Sequence, residues 1–364
     1  MSTTVLDAPT SAAQPPKVSL FRIYWFSALV TLLAWGAVAW GAGPAGLFTV
    51  IVLTALEITF SFDNAVVNSK LVTRLSPFWQ KLFLTVGIFV AVFLVRFVLP
   101  IVIVQFAAGL GFVEVIDLAI GHPEEYAHHL EQAGPMIDAF GGTFLLMIGI
   151  AYFLDAEKDV HWIGWLERRL APLGRFDNLT ILAMVLGALV MYFTVGGTLE
   201  QRVTVLTAAI IGVALHVGLD LFGTAFEGGE DGKAKMTVLV GGAAAVMFLR
   251  LEVLDASFSF DGVIGAFAIT TSVLVIMAGL GAGAMFVRSM TVHLVRAGTL
   301  GKYRYLEHGA HWAILFLGVV MLLKLYGVHP PEWITGSLGL VFIGLSVATS
   351  VRQRRKDERT PLVA

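Results

Sequence analysis

The sequence predicts an all-α, polytopic membrane protein of about eight to ten transmembrane helices, arranged as an inverted-topology internal repeat. Three observations carry that expectation. Hydrophobic residues make up 57% of the 364 and charged residues only 14%, against roughly 25% charged in soluble domains, and mean hydropathy is +0.83. Apolar runs near the ~20 residues that a bilayer core demands recur along the chain. A charged motif then returns: EITFSFDNAVV at 57–67 is followed by DASFSFDGVIG at 255–265.

Composition also excludes whole classes of chemistry. The chain has no cysteine, so thiolate metal sites, disulfides and thiol redox reactions are ruled out. A net charge of −2 gives no electrostatic footing for nucleic acid. No phosphate-cradling glycine loop is present, so pumping by ATP within this chain is not expected.

The runs lie at 22–41, 46–69, 80–105, 137–154, 179–193, 203–226, 237–266, 272–295, 309–326 and 333–350. Placing the N-terminus inside puts 19 of the 24 Lys and Arg on the inner side. Only Arg202 falls outside, and Arg96, Arg250, Arg288 and Lys324 lie within runs. One missed crossing would invert every later loop, so this asymmetry predicts both termini in the cytoplasm and a cell (inner or plasma) membrane location.

The remaining segments are polar. Residues 1–18, with Pro9, Pro15 and Pro16, read as a flexible cytoplasmic tail, too polar for a signal peptide. The outer segment 106–136 has no Lys or Arg but carries Glu114, Asp117, His122, Glu124, Glu125, His128, His129 and Glu131; it reads first as a plain solvated loop, with acceptance of exported metal as the alternative. Segment 156–171 alternates aromatic and charged residues, as an interfacial amphipathic helix does. Residues 351–364 read as a basic, disordered cytoplasmic tail beside the anionic leaflet. Between the tails, 19–350 is expected to form one transmembrane domain, with repeats at about 46–154 and 237–326.

The repeat extends past its identical Phe-Ser-Phe-Asp core. Glu57 matches Asp255, Thr59 matches Ser257, Asp63 matches Asp261 and Asn64 matches Gly262. Each motif run is followed by one holding a single arginine, Arg96 or Arg288, and then by a glycine-bearing apolar run. The motif runs are the second and seventh, so they cross in opposite directions. Inverted repeats of this kind place a transporter's substrate site near mid-membrane at the repeat interface. Glu57 and Asp255 fall near that level, with Asp63 displaced inward and Asp261 outward.

Carboxylates inside a bilayer cost several kcal/mol and persist where they pair or line a wet cavity. Glu57, Asp63, Asp255 and Asp261 are therefore the candidate metal ligands, with Ser61, Asn64, Ser259, Arg96, Arg288 and Glu252 in support. The bland alternative is that the acids only form ion pairs with the two arginines. Six residues turn an ideal helix by about 240°, so Glu57 and Asp63 share no face unless the helix opens around Ser-Phe-Asp. The donors are all oxygen, which suits Mn²⁺, Ca²⁺ or Mg²⁺. His216 and Asp220, four apart and so on one face, are weaker candidates for an accessory metal ligand or a proton relay, against the bland reading of a structural His–Asp hydrogen bond. Glu252 could support the site or pair with Arg250. Glu307, His308 and His311 open the ninth run on the inside, where they could capture a cation but read first as solvated.

With Glu57-x-x-x-Ser61-Phe62-Asp63-Asn64 and Asp255-x-x-x-Ser259-Phe260-Asp261-Gly262 in place, the chain resembles the TerC family of integral membrane proteins over roughly 46–326. That family is named for tellurite resistance and includes manganese exporters. Gly262 stands where a second asparagine is expected, and Asp255 where a second glutamate is, which marks a divergent branch. The resemblance implies export of a divalent cation, Mn²⁺ favoured, with possible proton coupling. It implies no prosthetic group and no enzymatic activity; its partners would be the cation, protons and membrane lipid. Two other classes compete. A non-transporting scaffold of a stress complex would carry no flux, and an intramembrane aspartyl protease would need a Gly-x-Gly-Asp signature that the sequence lacks.

Overall fold

The computed structural model describes residues 19–155, 158–176, 178–226, 238–267, 269–298 and 302–359. The expected N-terminal tail, Lys233, Lys235 and the last five residues lie outside them. The described chain is predominantly helical, with no strand among the described residues, as the sequence predicted. Among the described residues six helices are long and apolar enough to cross a membrane, or seven if a bent pair is one span. Each of the ten expected runs falls on helix.

The first two runs fall within α1 (Leu20–Phe60), which turns sharply at Gly43 (φ 69°, ψ −166°). Glycine reaches that left-handed φ without penalty, and Pro44 behind it offers no N–H to continue the ladder. The halves fold back on one another, so Trp35 Nε1 donates to Thr54 Oγ1 at 3.2 Å. Both halves lie on α12 (Val273–Arg296). Tyr24 meets His293 and Ser27 meets Ser289, an antiparallel run. Leu53 meets Gly279 and Glu57 meets Gly283, a parallel one.

The close approach at Gly283 positions Glu57. A Cβ there would stand 2.5 Å from Glu57 Cβ and Cγ and 3.1 Å from Thr54 O. Gly283→Ala is therefore expected to cost about 1–3 kcal/mol as overpacking. Gly218→Ala, with nothing within 4 Å, should be neutral or slightly stabilising. Thermal melts of the two variants check this; equal shifts would show that α1 and α12 separate freely.

The remaining helices on the expected runs are α2 (Phe62–Thr73), α3 (Pro77–Phe89) continuing through wide π turns at Val90–Val98 into α4 (Leu99–Ala108), α7 (Gly134–Leu154), α9 (Leu179–Thr194), α10 (Leu199–Phe226), α11 (Gly241–Phe267), α13 (Leu306–Lys324) and α14 (Glu332–Arg359). The 27-residue α11 carries Arg250, Glu252, Asp255 and Asp261.

All three pairs of repeat-related helices meet antiparallel. Along the motif pair, Val50 and Leu53 share a cluster with Val263 and Ala266. Val66 and Val67 join Leu254 and Phe258, and Val72 and Leu75 join Leu239 and Ala243. The run ends in backbone hydrogen bonds from Leu239 N to Arg74 O at 2.7 Å and from Ser76 N to Leu239 O at 3.1 Å. In the arginine pair, Gly87 lies against Arg288 and Val92 against Gly281. In the third pair, Gly142 lies against Gly318 and Gly149 against Leu315, and Tyr152 stacks on His311 at 3.7 Å. Opposed pairing in every case is what a two-fold axis in the membrane plane produces.

Three expected polar segments differ from the reading above. The outer loop folds as α5 (Phe112–Gly121) and α6 (Pro123–Gln132). Val115, Ala119, Tyr126 and Leu130 are buried against the ends of the motif helices, so its apolar residues set its structure and its acids merely coat it. Among its described residues, segment 156–171 is α-helical over α8 (Gly164–Leu170) rather than along its length, and Glu167 is fully buried. The basic tail continues α14 to Arg359 rather than being disordered.

Candidate cation site at the motif break

Glu57 closes the last turn of α1, and the helix breaks at Ser61 (φ −97°, ψ 17°) before α2 begins at Phe62. This is the opening that the six-residue spacing demands if Glu57 and Asp63 are to serve one site. Asp63 then sits in the first turn of α2, where the helix N-terminus favours a carboxylate. Its Oδ1 accepts from Asn64 N at 3.0 Å. The second motif behaves differently, since α11 is unbroken from Gly241 to Phe267. The tetrapeptide is identical in both, so packing rather than local sequence decides which copy opens.

Three acids and two arginines form a buried chain. Arg96, in the π stretch, pairs with Glu57, which also accepts from Ser61 Oγ at 2.9 Å. Arg96 Nη1 lies 3.9 Å from Asp255 Oδ2, and Arg288 Nη2 lies 3.8 Å from the same oxygen. Arg288 grips both oxygens of Glu252 at 3.0–3.2 Å. Its guanidinium also stacks over the Phe83 ring at 4.0 Å. All five side chains are less than 10% exposed. Glu252 thus pairs with Arg288 and not with Arg250. The chain spans both repeats, with Asp255 held between the two arginines.

Asp63 stands apart. It is 6% exposed, and no ion-pair partner lies near it among the described residues. It lines a cavity of about 70 Å³ with Glu57, Ser61 and Asn64, closed by Phe258, Gly262 and Ala266 of the helix that carries the second motif. Asn64 is 2% exposed, and its Oδ1 has no hydrogen-bond partner. A space of this size holds a few waters or a partly hydrated ion, and its polar lining meets their need for partners. Among the described residues no three His, Asp or Glu side chains converge as a preformed cage. The donors at hand are Asp63, the Asn64 amide oxygen, the Ser61 hydroxyl and the free side of Glu57.

The other candidates are dispersed. Asp255 approaches the cavity only through Arg96. Ser259 Oγ donates to Asp255 O at 2.7 Å, inside its own helix. The side chain of Asp261 lies outside the described part of the structure. His216 packs edge-on against Phe144, 6.0 Å between ring centres. Asp220 is mostly exposed and pairs with Arg250 at 3.6 Å. The expected His216–Asp220 hydrogen bond is therefore replaced by an Asp220–Arg250 pair.

The residues read as solvated at 307–311 are built into a cluster at the end of the bundle where the basic residues gather. Glu307 pairs with Lys70. His308 Nε2 donates to Val160 O at 2.7 Å, which leaves Nδ1 to accept from Tyr152 OH at 3.2 Å. Glu167 Oε1 accepts from Ile163 N at 3.0 Å, and its Oε2 meets Lys158 at 3.1 Å. Sequence reasoning missed Glu167 and Lys158 because an alternating aromatic–charged segment looks interfacial, and Tyr152 because it lies in the apolar run 137–154. It also missed Thr335 and Gly339 of α14, which complete the cavity wall; Gly339 lies close to Asp63 Oδ2. A small residue beside a polar one was the sole local signal.

No curated protein and no solved structure matches the chain. One family model does, a protein family of unknown function designated DUF475, over residues 62–357. That match covers most of the chain, both aspartates of the repeated motif, the two arginines and the α14 wall of the cavity, and the protein is a member of the DUF475 family.

Proposed function

We propose that the protein is a membrane transporter that exports a divalent cation, Mn²⁺ favoured, through the cavity at the motif break. One observation carries the proposal: Asp63 is a buried carboxylate without a cationic partner among the described residues, facing a polar cavity beside the unpaired Asn64 oxygen. An isolated charge in such a setting is costly unless something neutralises it, and the oxygen donors suit a hard cation. Antiparallel repeats meeting at the cavity agree with alternating access, and the motif resemblance to the TerC family favours Mn²⁺. Exchange for protons belongs to the same reading, because a carboxylate that releases a cation in low dielectric regains neutrality by taking a proton. Both termini are placed in the cytoplasm of a cell membrane, on the distribution of basic residues.

Purified protein in sealed liposomes loaded with a Mn²⁺-sensitive dye tests this. The expected result is saturable Mn²⁺ entry that a proton ionophore accelerates. Liposomes as tight as protein-free ones, at verified insertion, would remove transport and leave the scaffold reading.

A further inference from the structure

We infer that the protein carries a binding site for the phosphate headgroup of an anionic phospholipid, at the basic end of the bundle. The site is a cavity of about 500 Å³ lined by Trp162, Tyr305, Thr349, Arg352, Arg355 and Lys356. It is separate from the cavity at Asp63 and does not rest on the transport proposal.

Two observations support it. The first is charge. Arg352, Arg355 and Lys356 are spaced three and four apart, so they project from one face of α14. All three are exposed, and no ion pair neutralises them among the described residues. Asp357, the nearest acid in sequence, accepts from Gln353 Nε2 at 3.0 Å. Cations held together on one face repel each other, and an anion relieves that repulsion.

The second is that the walls are built. Trp162 Nε1 donates to Thr349 Oγ1 at 2.9 Å, which ties the 158–163 segment to α14. Tyr305 N donates to Ser350 Oγ at 2.9 Å, which ties the start of α13 to the same turn. Three segments therefore converge around the basic face before any ligand arrives.

Position selects a lipid as the source of the phosphate. The basic face begins at Arg352, directly after the apolar run 333–350, at the level where headgroups lie. Trp162 and Tyr305 flank it, and aromatic side chains of this kind favour the membrane–water interface. Basic pockets between helix ends at that level suit phosphodiester headgroups, while the acyl chains stay in the bilayer.

The test uses the full-length protein in nanodiscs of phosphatidylcholine with graded phosphatidylglycerol, with co-purified lipid read by native mass spectrometry. Wild type should retain phosphatidylglycerol over phosphatidylcholine. Arg352→Gln/Arg355→Gln/Lys356→Gln should lose that preference by about tenfold or more, since each basic side chain at an anionic surface contributes appreciably. Arg168→Gln/Arg169→Gln/Arg175→Gln removes the same charge from α8 and the turn after it, and should keep the preference within about twofold. Equal loss in both triple variants would reduce the effect to net charge and overturn the site. Equal retention of the two lipids by wild type would overturn it as well. Glycerol phosphate in solution should not displace the retained lipid at millimolar concentration; displacement would assign the pocket to a soluble phosphate ester and overturn the lipid assignment.

Discussion

Asp63→Asn is expected to abolish Mn²⁺ flux while the protein is still made, inserted and at least as stable as wild type. The two effects have opposite signs for a physical reason. Asp63 is buried without a cationic partner among the described residues, so removing its charge relieves a desolvation cost and should hold or raise the melting temperature. The same change removes the only charged donor among the described cavity residues that no arginine engages. Groups that merely support metal ligands cost about 10–100-fold in affinity when removed, and a direct ligand should cost at least as much. Flux and membrane abundance measured side by side give the answer. A variant that transports normally would take Asp63 out of the site, and one that misfolds would give it a structural role instead. Asp261→Asn belongs in the same experiment, because the repeat assigns the two residues equivalent places.

Arg288→Ala is expected to be the most destabilising single substitution in the membrane interior. It leaves Glu252 without either of its hydrogen-bonded contacts and Asp255 with Arg96 alone at 3.9 Å. Breaking a buried pair from one side costs about 3–5 kcal/mol, because the surviving charge is stranded in low dielectric. It also removes the stack on Phe83. Lower abundance and a lower melting temperature in detergent are the expected readings. Adding Glu252→Gln should recover part of the loss by removing the stranded charge, a coupling that a double-mutant cycle measures directly. Wild-type melting of Arg288→Ala would mean that the carboxylates are already neutral without it.

Much of this architecture was legible in the chain. Membrane insertion and helicity follow from composition and run length, because a bilayer offers backbone groups no partner except the helix itself. The repeat was legible because Glu57, Asp63, Asp255, Asp261 and the trailing arginines recur in order. The three antiparallel helix pairs follow from the odd offset of five runs between the copies. The break at Ser61 was legible only as a condition, since the spacing of Glu57 and Asp63 requires an opening without saying that one occurs.

What tertiary structure alone decided is how the acids are divided. Sequence placed four carboxylates in one pool, together with two arginines. The fold gives Glu57, Asp255 and Glu252 to Arg96 and Arg288, and leaves Asp63 alone among those described. It also chose which of two identical Phe-Ser-Phe-Asp segments opens, and brought Gly339 from the last helix to the Asp63 carboxylate. Period, charge and hydropathy are properties of one helix at a time, so they fix which residues a helix must bury. Which buried charge meets which partner depends on helix rotation and crossing distance. Those are set by contacts such as Glu57 on Gly283 and Gly142 on Gly318, between residues far apart in the chain.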